Sequence, residues 1–161
     1  MRTTLTTLAV LATCVVTLPA QDHRAAMGVW VLNLQQSRFD PGPLPKHQTS
    51  TFTQMPDGSV KIENDVIDVQ GRTSHREMVS KFDGRPEARA GSAQPTTRAY
   101  RWLDDRTFEF EEMIDGQHSV TGRTTVSKDG RVRTLKVDGT RNGKPVHNIE
   151  VYELERGAST R

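Results

Sequence analysis

The chain has 161 residues, 34% apolar and 26% charged, about one domain's worth of sequence. Its formal charge of +2 comes from Lys and Arg interleaved with Asp and Glu, which excludes the one-sided basic footprint of a nucleic-acid binder despite a pI near 8.9. The single cysteine, Cys14, falls in a segment expected to be removed, which leaves no thiol for a disulfide, a nucleophile or a metal ligand.

That segment is residues 1–20. Arg2 supplies a basic start, residues 5–18 an apolar stretch interrupted by threonines, and Leu18-Pro19-Ala20 a small-residue cleavage site. The pattern predicts a signal peptide and export to the periplasm or the medium, with residues 21–161 forming one domain. No integral membrane segment is expected after cleavage, because the apolar stretch is short and threonine-rich.

After a polar lead at 21–26, residues 27–34 form the first strand candidate, with Gly28, Trp30, Leu32 and Leu34 on one face. Pro41, Pro43 and Pro45 then exclude a continuous helix or central strand. Alternating segments follow at 46–54, 59–69 and 72–82. In the second of these the apolar phase switches from Val60, Ile62 and Val66 to Ile67 and Val69, which predicts a bulge near Asn64-Asp65. Residues 83–96 read mainly as loop, with room for a very short strand at 87–90. Five more alternating segments occupy 97–103, 106–114, 117–127, 131–140 and 144–154, and residues 157–161 read as a frayed tail. No segment after residue 20 carries a sustained helical period, so little helix is expected.

Between the segments stands a ladder of turn signals: Asp57-Gly58, Gln70-Gly71, Asp83-Gly84, Asp104-Asp105, Asp115-Gly116, Asp129-Gly130 and Asn142-Gly143. Pairs of this kind suit two-residue hairpins, whose central residues take positive φ. The expected fold is all-β, an antiparallel up-and-down meander of about nine or ten strands closed into a barrel. Closure hides both edges, and a barrel of that size holds a small ligand.

Gly28-Val29-Trp30, opening the first strand, resembles the GxW signature of lipocalins and fatty-acid-binding proteins. The longer run through Leu34, with Ser37-Arg38-Phe39 and Pro41-Gly42-Pro43, resembles a group of uncharacterised exported bacterial proteins with the pattern GTWKLN, KSKF, PGP. That resemblance implies a lipocalin-like barrel. It departs from the fatty-acid-binding branch at residues 41–45, which cannot form a two-helix lid, and from lipocalins after Leu154, where too little chain remains for a helix.

The cavity candidates are aromatic and cationic. Trp30, Phe52, Tyr100, Trp102, Phe108, Phe110 and Tyr152 all fall within strand segments, where they either line a pocket or fill the barrel. Arg76 and Arg98 share the phase of Met78 and Tyr100, so either is a candidate for an anionic ligand head, although solvent is the default for arginine. Glu109 and Glu111 should face outward, while Glu112 breaks the alternation, as an inward carboxylate or at a bulge. No nucleophile elbow, metalloprotease motif or zinc-spaced histidine pair occurs, so no catalytic residue, metal or cofactor is expected. The expected function is binding of a small hydrophobic or amphipathic ligand without catalysis. The alternatives are an envelope structural or interaction module with a filled barrel, and an enzyme using the cavity. Oligomeric state is left open.

Overall fold

The computed structural model describes residues 23–155. The predicted signal peptide with Cys14 and the predicted tail at 157–161 lie outside the described residues. Ten strands build one antiparallel sheet: β1 (Gly28–Leu32), β2 (His47–Gln54), β3 (Val60–Ile67), β4 (Thr73–Ser80), β5 (Asp83–Ala88), β6 (Thr96–Trp102), β7 (Thr107–Ile114), β8 (Gln117–Val126), β9 (Val132–Arg141) and β10 (Lys144–Leu154). The order is β4-β3-β2-β1-β10-β9-β8-β7-β6-β5. Every hairpin is therefore a ladder between chain neighbours except at β4 and β5, and β1 joins β10 through Trp30↔Leu154 and Leu32↔Tyr152.

β4 and β5 are the two edges of this sheet, and among the described residues the one backbone bridge across them lies just beyond β5, where Glu77 and Ala90 exchange hydrogen bonds of 3.2 and 2.8 Å. The result is an up-and-down barrel with one thin seam. Gly91 makes the seam possible: its φ is +76°, and a Cβ there would run into the His75 carbonyl, so only glycine lets this connection lie so close to β4.

Several sequence expectations change here. The stretch 83–96 is not mainly loop, since Asp83–Ala88 pairs with β6 through a bulge between Asp83 and Pro86. Pro86 is tolerated because β5 is an edge strand, where a missing N–H leaves no ladder partner stranded. The Asp83-Gly84 rung is not the turn. The reversal comes at Lys81-Phe82, with Phe82 at φ +55°, and its buried ring, stacked on Trp102 at 4.4 Å, offsets the backbone strain. No bulge occurs at Asn64-Asp65, because β3 keeps an unbroken register with both neighbours. The apolar phase switches there because the inward face itself becomes polar toward the mouth, where Asn64 and Asp68 follow Ile62. Leu34 is not on the buried face either: the chain leaves β1 at Asn33, and Leu34 is exposed. A short 3-10 turn, His23–Ala26, replaces part of the polar lead.

The two ends of the barrel differ. At the end holding the turns β2–β3, β4–β5, β6–β7 and β8–β9, the 3-10 turn lies against the floor: Trp30 Nε1 donates to the Ala26 carbonyl at 3.0 Å, and His23 stacks on Trp102 with centroids 3.9 Å apart. Phe82, Trp102 and Phe108 complete an aromatic plug. Both irregular segments, 33–46 and 89–95, connect an odd strand to the following even one, so both belong to the other end. Along the inner wall Phe110 lies opposite Gly122 in the β7–β8 ladder, and any side chain at Gly122 would collide with that ring. Outside, cross-strand pairs such as Arg101–Glu109–Arg123 and Lys61–Glu77 cover the wall.

Candidate functional site

Strand alternation directs every second side chain into the barrel, and together they enclose a cavity of about 690 Å³. Its mouth is framed by Pro41, Pro43, Leu44 and Pro45, and by the β3–β4 and β9–β10 turns through Arg72 and Asn142. Of the nine residues singled out from sequence, seven line it: Phe52, Arg76, Arg98, Tyr100, Phe108, Phe110 and Tyr152. Trp30 and Trp102 do not. Trp30 is fully buried behind the wall, and Trp102 belongs to the plug under His23.

Arg76 and Arg98 face inward, against the solvent default for arginine, and they are part of a larger set. Seven cationic side chains line the cavity: Arg72, Arg76, Arg89, Arg98, Arg133, Arg141 and Lys144. The carboxylates available to them are Asp68, Glu150 and the buried Glu112. Glu112 continues the inward phase of Phe108 and Phe110, so it breaks the apolar pattern without breaking the alternation; the bulge comes just after it, where the ladder skips Ser119 on β8. Arg98 Nε donates to its Oε2 at 2.7 Å, Arg89 Nη1 to the same oxygen at 3.4 Å, and Arg141 Nη2 to Oε1 at 2.7 Å. Burial opposes ionisation of Glu112, but Arg98 and Arg141 outweigh it and bring the carboxyl down to about 2. A carboxylate so tightly held is a poor general base, and its role here is that of a counterion. Burial, then repulsion from Arg98, pulls Arg89 down to about 9.

Arg76 is left over. It makes no ion pair or hydrogen bond among the described residues, and burial followed by repulsion from Arg98 and Arg141 lowers its pKa against the weaker pull of Glu112.

Nearer the floor, Arg133 is short of hydrogen-bond acceptors. It opens β9 beside Tyr152 in the ladder and is 2% exposed. Its guanidinium lies over the rings of Tyr152, Phe52 and Trp30 at 4.4, 4.7 and 5.3 Å. Its Nε and Nη1 have no hydrogen-bond acceptor. Burial lowers its pKa against the attraction of Tyr152 and Glu150. The nearby carboxylate is already engaged: Tyr152 donates to Glu150 Oε2 at 2.5 Å and accepts from Gln48 Nε2 at 2.5 Å. Burial, then the charge of Glu150, raises the Tyr152 phenol well above its ordinary value, so it stays a neutral donor.

Sequence reasoning missed Arg89, Arg133, Arg141, Gln48 and Glu150. The signal for two of them was present: Arg133 and Arg141 share the phase of Leu135 and Val137, the same argument that singled out Arg76 and Arg98. Arg89 was hidden by the reading of 83–96 as loop.

Elsewhere among the described residues, Glu63, His75 and Glu77 gather on the outer wall, where Lys61 already bridges both glutamates at 2.8 and 3.1 Å. No helix of the described residues is long and apolar enough to cross a membrane. The fold and its cavity thus define an antiparallel up-and-down β-barrel with an arginine-rich interior. No protein-family model matches the chain, and no curated protein matches it.

Proposed function

We propose that this protein is a non-enzymatic binding barrel for a small amphipathic molecule with an anionic head. The observation that carries this reading is Arg133, a buried guanidinium with two N–H groups lacking acceptors at the aromatic base of a cavity. Buried arginine is ordinarily paired, since an unsatisfied donor in a low-dielectric interior costs about 1–3 kcal/mol. A carboxylate accepting from Nε and an Nη group in fork geometry would satisfy both donors. Phe52, Phe108 and Leu135, with the rest of the apolar lining, supply the surface for the remainder of the ligand. The size of the cavity weighs against a filled barrel serving as a structural module. We further propose that the chain is exported and cleaved after Ala20, on the strength of Arg2, the apolar run and Leu18-Pro19-Ala20.

Native mass spectrometry of the protein purified from its exported fraction tests both parts. The expected species begins at Gln21 and carries one fatty-acid-sized anion per chain. Titration with fatty acids should also perturb tryptophan fluorescence, because Trp30 lies directly behind Arg133. An empty barrel whose fluorescence and thermal midpoint ignore fatty acids, haem and aromatic acids sinks the binding reading. An intact N-terminus on exported protein sinks the cleavage.

A further inference from the structure

The cationic groups of the cavity lie at two depths. Arg133 pairs in the ladder with Val126, beside the turn that closes the floor, and lies over Phe52, whose ring packs on Phe108 with centroids 5.6 Å apart. Glu112 stands four residues farther along β7 than Phe108, which is ~13 Å of extended chain toward the mouth. Arg98 faces Glu112 directly across the β6–β7 ladder. Between the two levels the wall is Tyr100, Phe110, Ile62 and Val137.

The charges at the upper level do not balance. Glu112 spends one oxygen on Arg141 and the other on Arg98 and Arg89. Arg76, reaching in from β4, receives nothing, and it lines the cavity. Two guanidiniums therefore have no carboxylate within hydrogen-bond reach, at different depths and with an apolar band between them. A fatty acid with a single carboxylate can answer only one of them.

We propose that the ligand is an α,ω-dianion of the long-chain dicarboxylate class, with one carboxylate on Arg133 at the floor and the other on Arg76 below the mouth. This rests on the binding function proposed above and specifies its ligand. Orientation follows from the chemistry. The inner carboxylate gives up all its water and gains fork hydrogen bonds at Arg133, whereas the outer one keeps part of its hydration beside half-buried Arg76. The inner contact supplies most of the affinity and the outer one selects for a second charge at the right chain length.

The test is isothermal titration with dicarboxylates from octanedioate to hexadecanedioate and with fatty acids of the same lengths, on the wild-type protein and on Arg76→Gln. Wild type should favour the dicarboxylate at an optimum intermediate length by about tenfold, the yield of one charge-assisted contact. Arg76→Gln should erase that preference, lowering dicarboxylate affinity about tenfold more than fatty-acid affinity. Because Arg76 bonds to no other residue, its removal strands no partner, and a near-native thermal midpoint verifies folding. Carbon-13 NMR of a doubly carboxyl-labelled dicarboxylate gives a second readout: both carboxyls should titrate below their free values in wild type, and only one in Arg76→Gln. Fatty acids and dicarboxylates binding equally at every length overturn the dianion while leaving the binding barrel intact, and so does a preference that survives Arg76→Gln. Binding of neither series overturns both.

Discussion

Replacing Arg133 with methionine should make the ligand-free protein more stable and a poorer binder. Two buried N–H groups of Arg133 lack acceptors, which at about 1–3 kcal/mol each costs roughly 2–6 kcal/mol. Against this stand three aromatic faces within 5.3 Å; a desolvated cation–π contact is worth up to about 2 kcal/mol, and a single guanidinium shared among three rings gains roughly 2–3 kcal/mol in total. Methionine fills much of the same volume and packs on the same rings without polar atoms. The difference spans about −1 to +4 kcal/mol and centres on about 1.5 kcal/mol, and at about 2–4 °C per kcal/mol for a domain of this size the thermal midpoint should rise by roughly 3–6 °C. The same substitution should weaken carboxylate binding at least tenfold, since a charge-assisted pair is lost. Scanning calorimetry and titration on one preparation read both quantities. A fall of several degrees in the midpoint would refute the reasoning, because Arg133 would then be a structural stack and not an unmet donor.

The remaining predictions concern the scaffold. Glu112 has a folded-state pKa depressed from 4.5 to about 2, so its contribution is fully present above pH 4.5 and is lost as pH falls toward 2; urea midpoints across that window should decline by an amount equivalent to about 3 kcal/mol. Glu112→Gln should flatten that window and cost roughly 3–5 kcal/mol, because Arg98, Arg89 and Arg141 lose their shared counterion; an unchanged midpoint would show that the cluster is not coupled to folding. Gly122→Ala should destabilise by about 1–3 kcal/mol by driving a methyl into the Phe110 ring, measurable by denaturant titration. Gly91→Ala should open the β4–β5 seam, seen as faster amide exchange at Glu77 and Ala90 with little change at β8 and β9, whereas uniform exchange throughout the barrel would contradict the seam's separateness.

The barrel was legible because its signals are local. Alternation gave every strand but β5 to within a residue or two, and Asp115-Gly116 and Asn142-Gly143 take positive φ at both positions, as two-residue hairpins require. Where the sequence misled, a tertiary contact had overruled a local rule. Phe82 accepts an unfavourable backbone because three aromatic rings receive it, and Pro86 sits in a strand because that strand is an edge. The site was legible in part, and for the same reason: phase assigned Arg76 and Arg98 to the apolar face but says nothing about who meets whom across the barrel. That Glu112 serves Arg89, Arg98 and Arg141 while Arg76 and Arg133 go without follows from ladder register, and no spacing along the chain encodes it.

An interior with more guanidiniums than carboxylates holds its empty state at a cost, and this couples stability to occupancy. The apolar floor and the closed ladders keep the barrel folded while Arg76 and Arg133 stay unmatched. An anion supplies what the chain omits, and at a hundred times its dissociation constant a ligand adds about 2.7 kcal/mol of stability. That increment is of the same order as the gain expected from Arg133→Met. The two proteins should therefore exchange rank: the variant melts higher when empty, and the wild type draws level or passes it as dicarboxylate is added. Such a crossing depends on a buried charge that is unfavourable alone and favourable when paired, and neither an inert filled barrel nor a purely hydrophobic pocket produces it.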